Sequence, residues 1–325
     1  MNIQGRRILV TGASGFIGSF VTESAVSAGA EVWAAVRRSS SRRWLKDPRI
    51  HFIELNLDDP DALRGALENA GVFDGVVHCA GATKAAHTED FHRINCEGTR
   101  LLAETFVQTQ TLRGRFVFLS SLSVMGEAKD VPSPNSAYGR SKLAAEHALA
   151  TVAGLDYIVL RPTGVYGPRE RDYFLMAKSI SQGVDFAVGF KPQVITFVYA
   201  KDVARASLSA LTQGRSGAAY FLTDGGEYSS RAFSDLLQRE MGRKRILHVT
   251  APLWVLRLVC AVNGWAASLR GRSTTLNMDK YYTLAQRDWR CDTSATRAEL
   301  GFEPEYTLER GVRETVAWYK EAGWL

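Results

Sequence analysis

Cysteine is scarce in this chain, whose 325 residues hold only Cys79, Cys96, Cys260 and Cys291. These are too few and too scattered for a disulfide framework, and no two stand at the CxxC spacing used by zinc or thiol redox sites. A reducing compartment, the cytoplasm, is the expectation. A secretory leader is not expected either, because "MNIQGRRILVTG" runs directly into a strand-like segment with no long apolar core or small-residue cleavage site. Nor is there an unbroken apolar run of membrane-spanning length. The most lipid-like stretch, residues 251–269, "APLWVLRLVCAVNGWAASL", is interrupted by Pro252, Arg257 and Asn263. It is expected to be a buried or lid helix over an apolar cavity, with peripheral contact to a membrane surface as the alternative.

Charge is biased but not extreme, with 40 Lys and Arg against 34 Asp and Glu for a net +6. Arg37, Arg38, Arg42 and Arg43 crowd into one short stretch without the interleaved aromatics of a nucleic-acid stacking platform. A local anion site is therefore expected there, and no nucleic-acid partner. Tandem repeats, low-complexity tracts and long linkers are absent, and the 46% hydrophobic content is that of an ordinary globular protein.

What is present is an alternation. "RRILVTG", "EVWAAVR", "IHFIELN", "DGVVHCAG", "GRFVFLSS" and "DYIVLRPTG" read as buried strands, separated by helix-period segments such as "PDALRGALENA" and "YGRSKLAAEHALATVAG". Short connections between such elements imply right-handed βαβ units, hence a doubly wound parallel α/β sheet of the Rossmann type. After Gly167 the rhythm loosens, although "ITFVYA" and "AAYFLTD" still read as strands. The division expected is a nucleotide-binding unit over residues 1–165 and 193–222, with a smaller substrate-binding region over 166–192 and 223–325.

In "ILVTGASGFIG", Gly12, Gly15 and Gly18 stand where the first strand feeds the first helix. Glycines there let the backbone turn sharply and approach a pyrophosphate seated at the positive helix end, with Ser14, Phe16 and Ile17 beside it. The second strand ends in Arg37 and Arg38, where an acid that holds a ribose 2′-hydroxyl is common. Guanidinium groups there favour a 2′-phosphate, so NADP(H) is expected ahead of NAD(H).

Tyr138 and Lys142 in "SAYGRSK" lie one helical turn apart, and Ser121 ends the strand "RFVFLSS". All three fall at the carboxyl edge of a parallel sheet, where ligands bind. Lys142 is expected to make the Tyr138 phenol more acidic, turning it into a general acid or base, while Ser121 hydrogen-bonds the substrate oxygen. His78 and Cys79 point to opposite faces of a strand and, with Cys96, are expected to be core residues, not metal ligands.

In order, "TGASGFIG", "HCAG", "INCEGT", "SSLSVMG", "YGRSK" and "RPTGVYGP" resemble the extended short-chain dehydrogenase/reductase family over nearly the whole chain. The resemblance implies that Ser121, Tyr138 and Lys142 are the catalytic serine, tyrosine and lysine, that Lys142 also binds the nicotinamide ribose, and that Asn95 is the asparagine of the fourth-helix motif. Ser120 and Ser123 compete for the serine's role; alignment on Val124 and Gly126 selects Ser121 and leaves Ser123 facing substrate. Ala80, Gly81, Ala82, Pro162, Thr163 and Val165 are implied on the cofactor side, and Tyr166 on the substrate side. Two departures are visible. Met125 replaces a usual tyrosine on the substrate wall, and Asn56, followed by Leu57, replaces an aspartate near adenine. Relatives in this family often dimerise through a helical face, so the resemblance allows a homodimer without fixing the oligomeric state.

Nucleotide-sugar members often carry an arginine where "VITFVYAKD" has Ile195. Without it, a diphosphate loses a charge-assisted contact. "LRPTGVYGP", "FVYAKDVARA" and "AYFLTDGGEYSSRAFSDLL" instead resemble the 3β-hydroxysteroid dehydrogenase and dihydroflavonol-reductase side, which, taken with the apolar, Trp-bearing stretch 251–269, implies oxidation or reduction of a hydrophobic or aromatic alcohol or ketone. The alternative is a nucleotide-sugar epimerase or dehydratase with tightly bound NAD(P), its diphosphate held by Arg169, Arg171, Lys191 or Arg231. Asp202 is expected to cap the helix it opens.

Overall fold

The computed structural model describes residues 3–127, 130–268, 274 and 276–325. Its strands are β1 Arg7–Thr11, β2 Glu31–Val36, β3 His51–Glu54, β4 Phe73–His78, β5 Leu112–Leu119, β6 Tyr157–Pro162, β7 Gly164–Tyr166, β8 Val184–Val188, β9 Val194–Ile195, β10 Phe197–Tyr199, β11 Ala219–Leu222, β12 Tyr228–Ser229 and β13 Leu247–Ala251. The helices are α1 Phe16–Ser27, α2 Pro60–Ala70, α3 Thr88–His92, α4 Gly98–Thr109, α5 Ala137–Thr151, α6 Asp172–Ser181, α7 Ala200–Ala210, α8 Ala232–Glu240, α9 Leu253–Ser268, α10 Met278–Ala285, α11 Ser294–Leu300 and α12 Leu308–Glu321. Of the stretch 251–269, Leu269 lies outside the described residues.

Seven strands form one parallel sheet in the order β11-β6-β5-β4-β1-β2-β3. Such strands are apolar throughout because helices cover both faces. On one face Val21 and Ala25 of α1 pack with Val203 and Ala206 of α7; on the other, Leu63 and Leu67 of α2, Phe106 of α4 and Leu149 of α5 close the core. Strand order reverses between β1 and β4, and that reversal opens a crevice at the carboxyl ends of the strands. This is the Rossmann-like α/β architecture expected from the sequence.

The second half builds its own core from Tyr166, Phe197, Tyr199, Phe233, Val312 and Tyr319. Three short pairs, β7 with β10, β9 with β12 and β8 with β13, hold it beside the main sheet. Asp202 does not cap its own helix as expected. Fully buried, its carboxylate accepts the N–H groups of Glu305 and Tyr306 at 3.1 and 3.0 Å and meets Arg205 at 3.1 Å, tying the C-terminal segment to α7. Two buried backbone donors make better use of a carboxylate than a helix end that other groups can serve.

Replacing Asp202 with alanine strands those donors and is expected to destabilise the protein by about 2–4 kcal/mol. The urea unfolding midpoint measures this; an unchanged midpoint would show that the clamp contributes nothing.

Candidate active site

The turn between β1 and α1 has a backbone that demands glycine. Gly12 sits at φ 63°, and a Cβ there would come within 2.7 Å of the Ala80 nitrogen. A side chain on Gly18 would collide with the Gly12 carbonyl. The N-cap residue Gly15 offers no side chain, and the first turn of α1 contains no acid. The positive helix end is thereby left to an anion, flanked by half-buried Ser14, Phe16 and Ile17.

Arg37 and Arg38 follow β2, and both are exposed. Arg42 and Arg43 instead cover aromatic rings, Phe52 at 4.2 Å and Trp44 at 4.5 Å. Asn56 turns its side-chain oxygen to the Asp58 N–H at 3.1 Å, while Leu57 packs into the core beside α4.

Across the crevice, Ser121 opens a short 3₁₀ turn, its hydroxyl accepting the Ser123 N–H at 3.1 Å. It also stands close enough to the Tyr138 phenol to draw its pKa downward. Its rival Ser120 is committed elsewhere, donating at 2.5 Å to Glu146, whose carboxylate is paired with Arg161 at 2.5 Å. Lys142, 4% exposed, places its ammonium 4.3 Å from the Phe118 ring centroid. Burial drags its pKa from 10.5 to about 8, against the upward pull of Glu146 and Cys79.

Tyr138 departs from expectation. Burial raises its pKa and Ser121 only partly opposes this. In the protein alone, desolvation of the phenolate therefore outweighs the expected acidification, and the phenol keeps its proton at neutral pH.

Asn95 lies fully buried in a π-helical turn, Arg93–Glu97. It accepts the Ala82 N–H at 2.6 Å and donates to the Ala82 carbonyl at 3.0 Å and to Ser141 at 2.9 Å, so one amide pins the Ala80–Gly81–Ala82 segment to α5. Gly81 fits where a Cβ would press to 3.0 Å from the Asn95 oxygen and 3.5 Å from the Lys142 nitrogen. His78 bridges Thr11 at 2.7 Å and Thr99 at 2.9 Å, its pKa driven down to about 3 by burial. It is a neutral core strut.

A buried polar atom at the edge of the crevice has no protein partner: the Thr163 hydroxyl, just beyond β6. With the glycine cradle before α1 and the exposed arginines after β2, the residues present fit a dinucleotide.

Two residues expected on the substrate side, Tyr166 and Met125, present no open surface. Tyr166 is fully buried among Phe197, Tyr199 and Phe233, its hydroxyl turned toward the carbonyls of Thr307 and Leu308, so it has no surface to offer a substrate. Met125 is buried with Leu122 and Val124, its sulfur 3.6 Å from Arg161. Pro162 is buried, Val165 packs toward the sheet core, and Ser123 stays partly exposed.

Sequence reasoning missed Asp279. From α10 its carboxylate accepts the N–H groups of Ala137 at 2.6 Å and Tyr138 at 2.9 Å, while Ser136 takes that of Gly139 at 3.0 Å. Together they satisfy the first turn of α5. A capping serine before the helix was a visible signal; a carboxylate 141 residues away was not. Phe91 adds an edge-on ring contact to Tyr138 at 6.2 Å.

A sequence profile of the NAD-dependent epimerase/dehydratase family matches residues 8–222. The chain is similar, at 27% identity over 98% of its length and 96% of the relative's, to a ceramide reductase of Caulobacter vibrioides. It is also 27% identical, over 97% of its length and 98% of the relative's, to a dTDP-glucose 4,6-dehydratase of an Actinoplanes species. Among solved structures, a UDP-glucose 4-epimerase of Thermotoga maritima shares the fold with a TM-score of 0.78 at 23% identity, covering 97% of this chain and 99% of the other.

Exchanging Lys142 for methionine removes a charge the fold holds at a cost, and should raise stability at pH 7 by roughly 1–3 kcal/mol. Because the folded-state pKa is depressed from 10.5 to about 8, the unfolded chain binds the extra proton between those values. The native chain should therefore gain stability as pH rises through that window, closing the gap to the variant. Urea titrations at several pH values measure it; a variant less stable at pH 7 contradicts the assignment.

Proposed function

The chain belongs to the NAD-dependent epimerase/dehydratase family and is an NAD(P)-dependent enzyme of the extended short-chain dehydrogenase/reductase type, and from that premise we propose that it interconverts a hydrophobic or aromatic ketone and its alcohol. The relatives at equal identity point in two directions, one to a lipid and one to a nucleotide sugar. The residues favour the first. Ile195 stands where nucleotide-sugar members carry the diphosphate-gripping arginine, and it packs against the second core. This is the observation that carries the reading. Two of the substitute cations are already engaged: Arg169 with Ser19 at 2.9 Å and Glu23 at 2.8 Å, and Arg231 with Asp185 at 2.9 Å.

In reduction, a bound nicotinamide dinucleotide would supply the hydride. Ser121 holds the substrate carbonyl oxygen, and Tyr138, still protonated, delivers its phenolic proton to that oxygen as negative charge develops. Lys142 then stabilises the phenolate. Asn95 keeps the Ala80–Ala82 segment open beside the lysine. Arg37, ahead of Arg38, would hold a 2′-phosphate, so we propose NADP(H) in preference to NAD(H), with adenine near Asn56 and Leu57. The cofactor belongs to residues 1–165 and 193–222 in this reading, the substrate to 166–192 and 223–325. Free thiols support residence in the cytoplasm.

A panel of steroid, flavonoid, aryl and long-chain ketones set against UDP- and dTDP-sugars tests the proposal, with NADPH fluorescence as the readout. Ketones should be reduced, NADPH should bind at least roughly tenfold tighter than NADH, and Tyr138→Phe should cut turnover by roughly 10²–10⁴ with cofactor affinity spared. Turnover of nucleotide sugars alone would move the chain to the epimerase or dehydratase reading.

A further inference from the structure

The helix α9 shows solvent a side that folded proteins ordinarily hide. Trp254 is 70% exposed and Trp265 68%, with Leu258 and Val262 exposed between them. At 100° per residue these four side chains fall within an arc of ~80°. Leu256 and Cys260, on the opposite side, are buried. The helix is therefore anchored along one side, against α10, and carries an indole near each end of the other. At its first turn, Phe190, 74% exposed, shares with Leu253 and Pro252 the rim of a shallow apolar cavity of about 290 Å³. Phe186 and Leu247 add exposed apolar side chains on one face of the β8–β13 pair that leads into α9.

Single exposed apolar residues are ordinary, but a contiguous arc of them marks an interaction surface. The surrounding charge selects the partner. Residues 241–278 contain Arg243, Lys244, Arg245, Arg257, Arg270 and Arg272 and no Asp or Glu. Arg243, Lys244, Arg245 and Arg257 are exposed, as is Lys191 beside Phe190. A second copy of this chain would set those cations against one another. An anionic bilayer would instead neutralise them, while its headgroup layer accepts the indoles and its upper acyl region the leucine and valine.

We propose that the exposed face of α9 is a docking surface for an anionic lipid membrane, on which the protein lies without crossing it. Among the described residues no helix is long and apolar enough to span a bilayer, in keeping with peripheral attachment. The surface is coupled to the crevice: α9 rests on α10, and α10 carries the Asp279 that holds the first turn of α5. The inference rests on surface chemistry alone, and no cofactor or ketone enters its test.

The full chain is sedimented with phosphatidylcholine vesicles containing ~30% phosphatidylglycerol and with pure phosphatidylcholine vesicles, at low and high salt. Sedimentation with the anionic vesicles, weakened by salt, is expected. Trp254→Asp with Trp265→Asp, and separately Arg243→Glu with Arg245→Glu, should each lower the partition coefficient roughly tenfold or more, with circular dichroism and thermal unfolding unchanged. None of these residues belongs to the catalytic machinery. Failure to sediment, or folded tryptophan variants that sediment like the native chain, would overturn the proposal. So would a dimer seen by light scattering that the tryptophan variant dissociates, since the face would then belong to a second copy.

Discussion

Lys142 carries an ammonium that is 4% exposed, and removing such a group from water costs several kcal/mol unless its surroundings repay it. Most of the site can be understood as the surroundings that make this burial tolerable. The Phe118 ring offers its face, and Glu146 supplies negative charge from the next turn of α5. Arg161 and Ser120 in turn hold Glu146 in place. Asn95 and His78, both fully buried, lock the end of β4 and its following segment against α4 and α5, with Gly81 set close against the Asn95 amide oxygen beside the ammonium. The result is a cation held at the carboxyl edge of the sheet, with its pKa close enough to neutrality that its charge responds to what binds there.

That constraint also explains the tyrosine. In an apolar pocket a phenol resists ionisation, and a neighbouring ammonium that is itself partly desolvated does not reverse this on its own. The resting protein therefore keeps the proton on the Tyr138 phenol, against the weaker downward pull of Ser121. Its backbone is fixed from two directions, by Ser136 within the local sequence and by Asp279 from α10. The helix α5 thus depends on the second half of the chain for its first turn.

Much of this was legible in the sequence because it rests on local pattern. The alternation of strands and helices, the glycines at 12, 15 and 18, and the Tyr138–Lys142 spacing are short-range features, and each maps directly onto a turn, a strand end or a helix face. The nucleotide-binding half was accordingly readable almost element by element. What could not be read were contacts between segments far apart in the chain. Asp202 reaches Glu305 and Tyr306, and Asp279 reaches Tyr138, without any pattern to announce it. Tyr166 shows the converse error: the motif around it suggested the crevice, but the parallel pairing of β7 with β10 turns its ring into the second core. The sign of the Tyr138 shift was likewise beyond sequence, since helical spacing reports a nearby charge and says nothing of how much water is lost.

The account stands on a buried lysine whose charge is poised near neutrality, and the most direct measurement is a titration of its own nitrogen. In protein labelled with ¹⁵N at lysine Nζ, the Lys142 resonance, assigned by its absence from a Lys142→Met variant, should titrate with a midpoint near 8. A midpoint at the ordinary lysine value of 10.5 would contradict a charge held at a net desolvation cost.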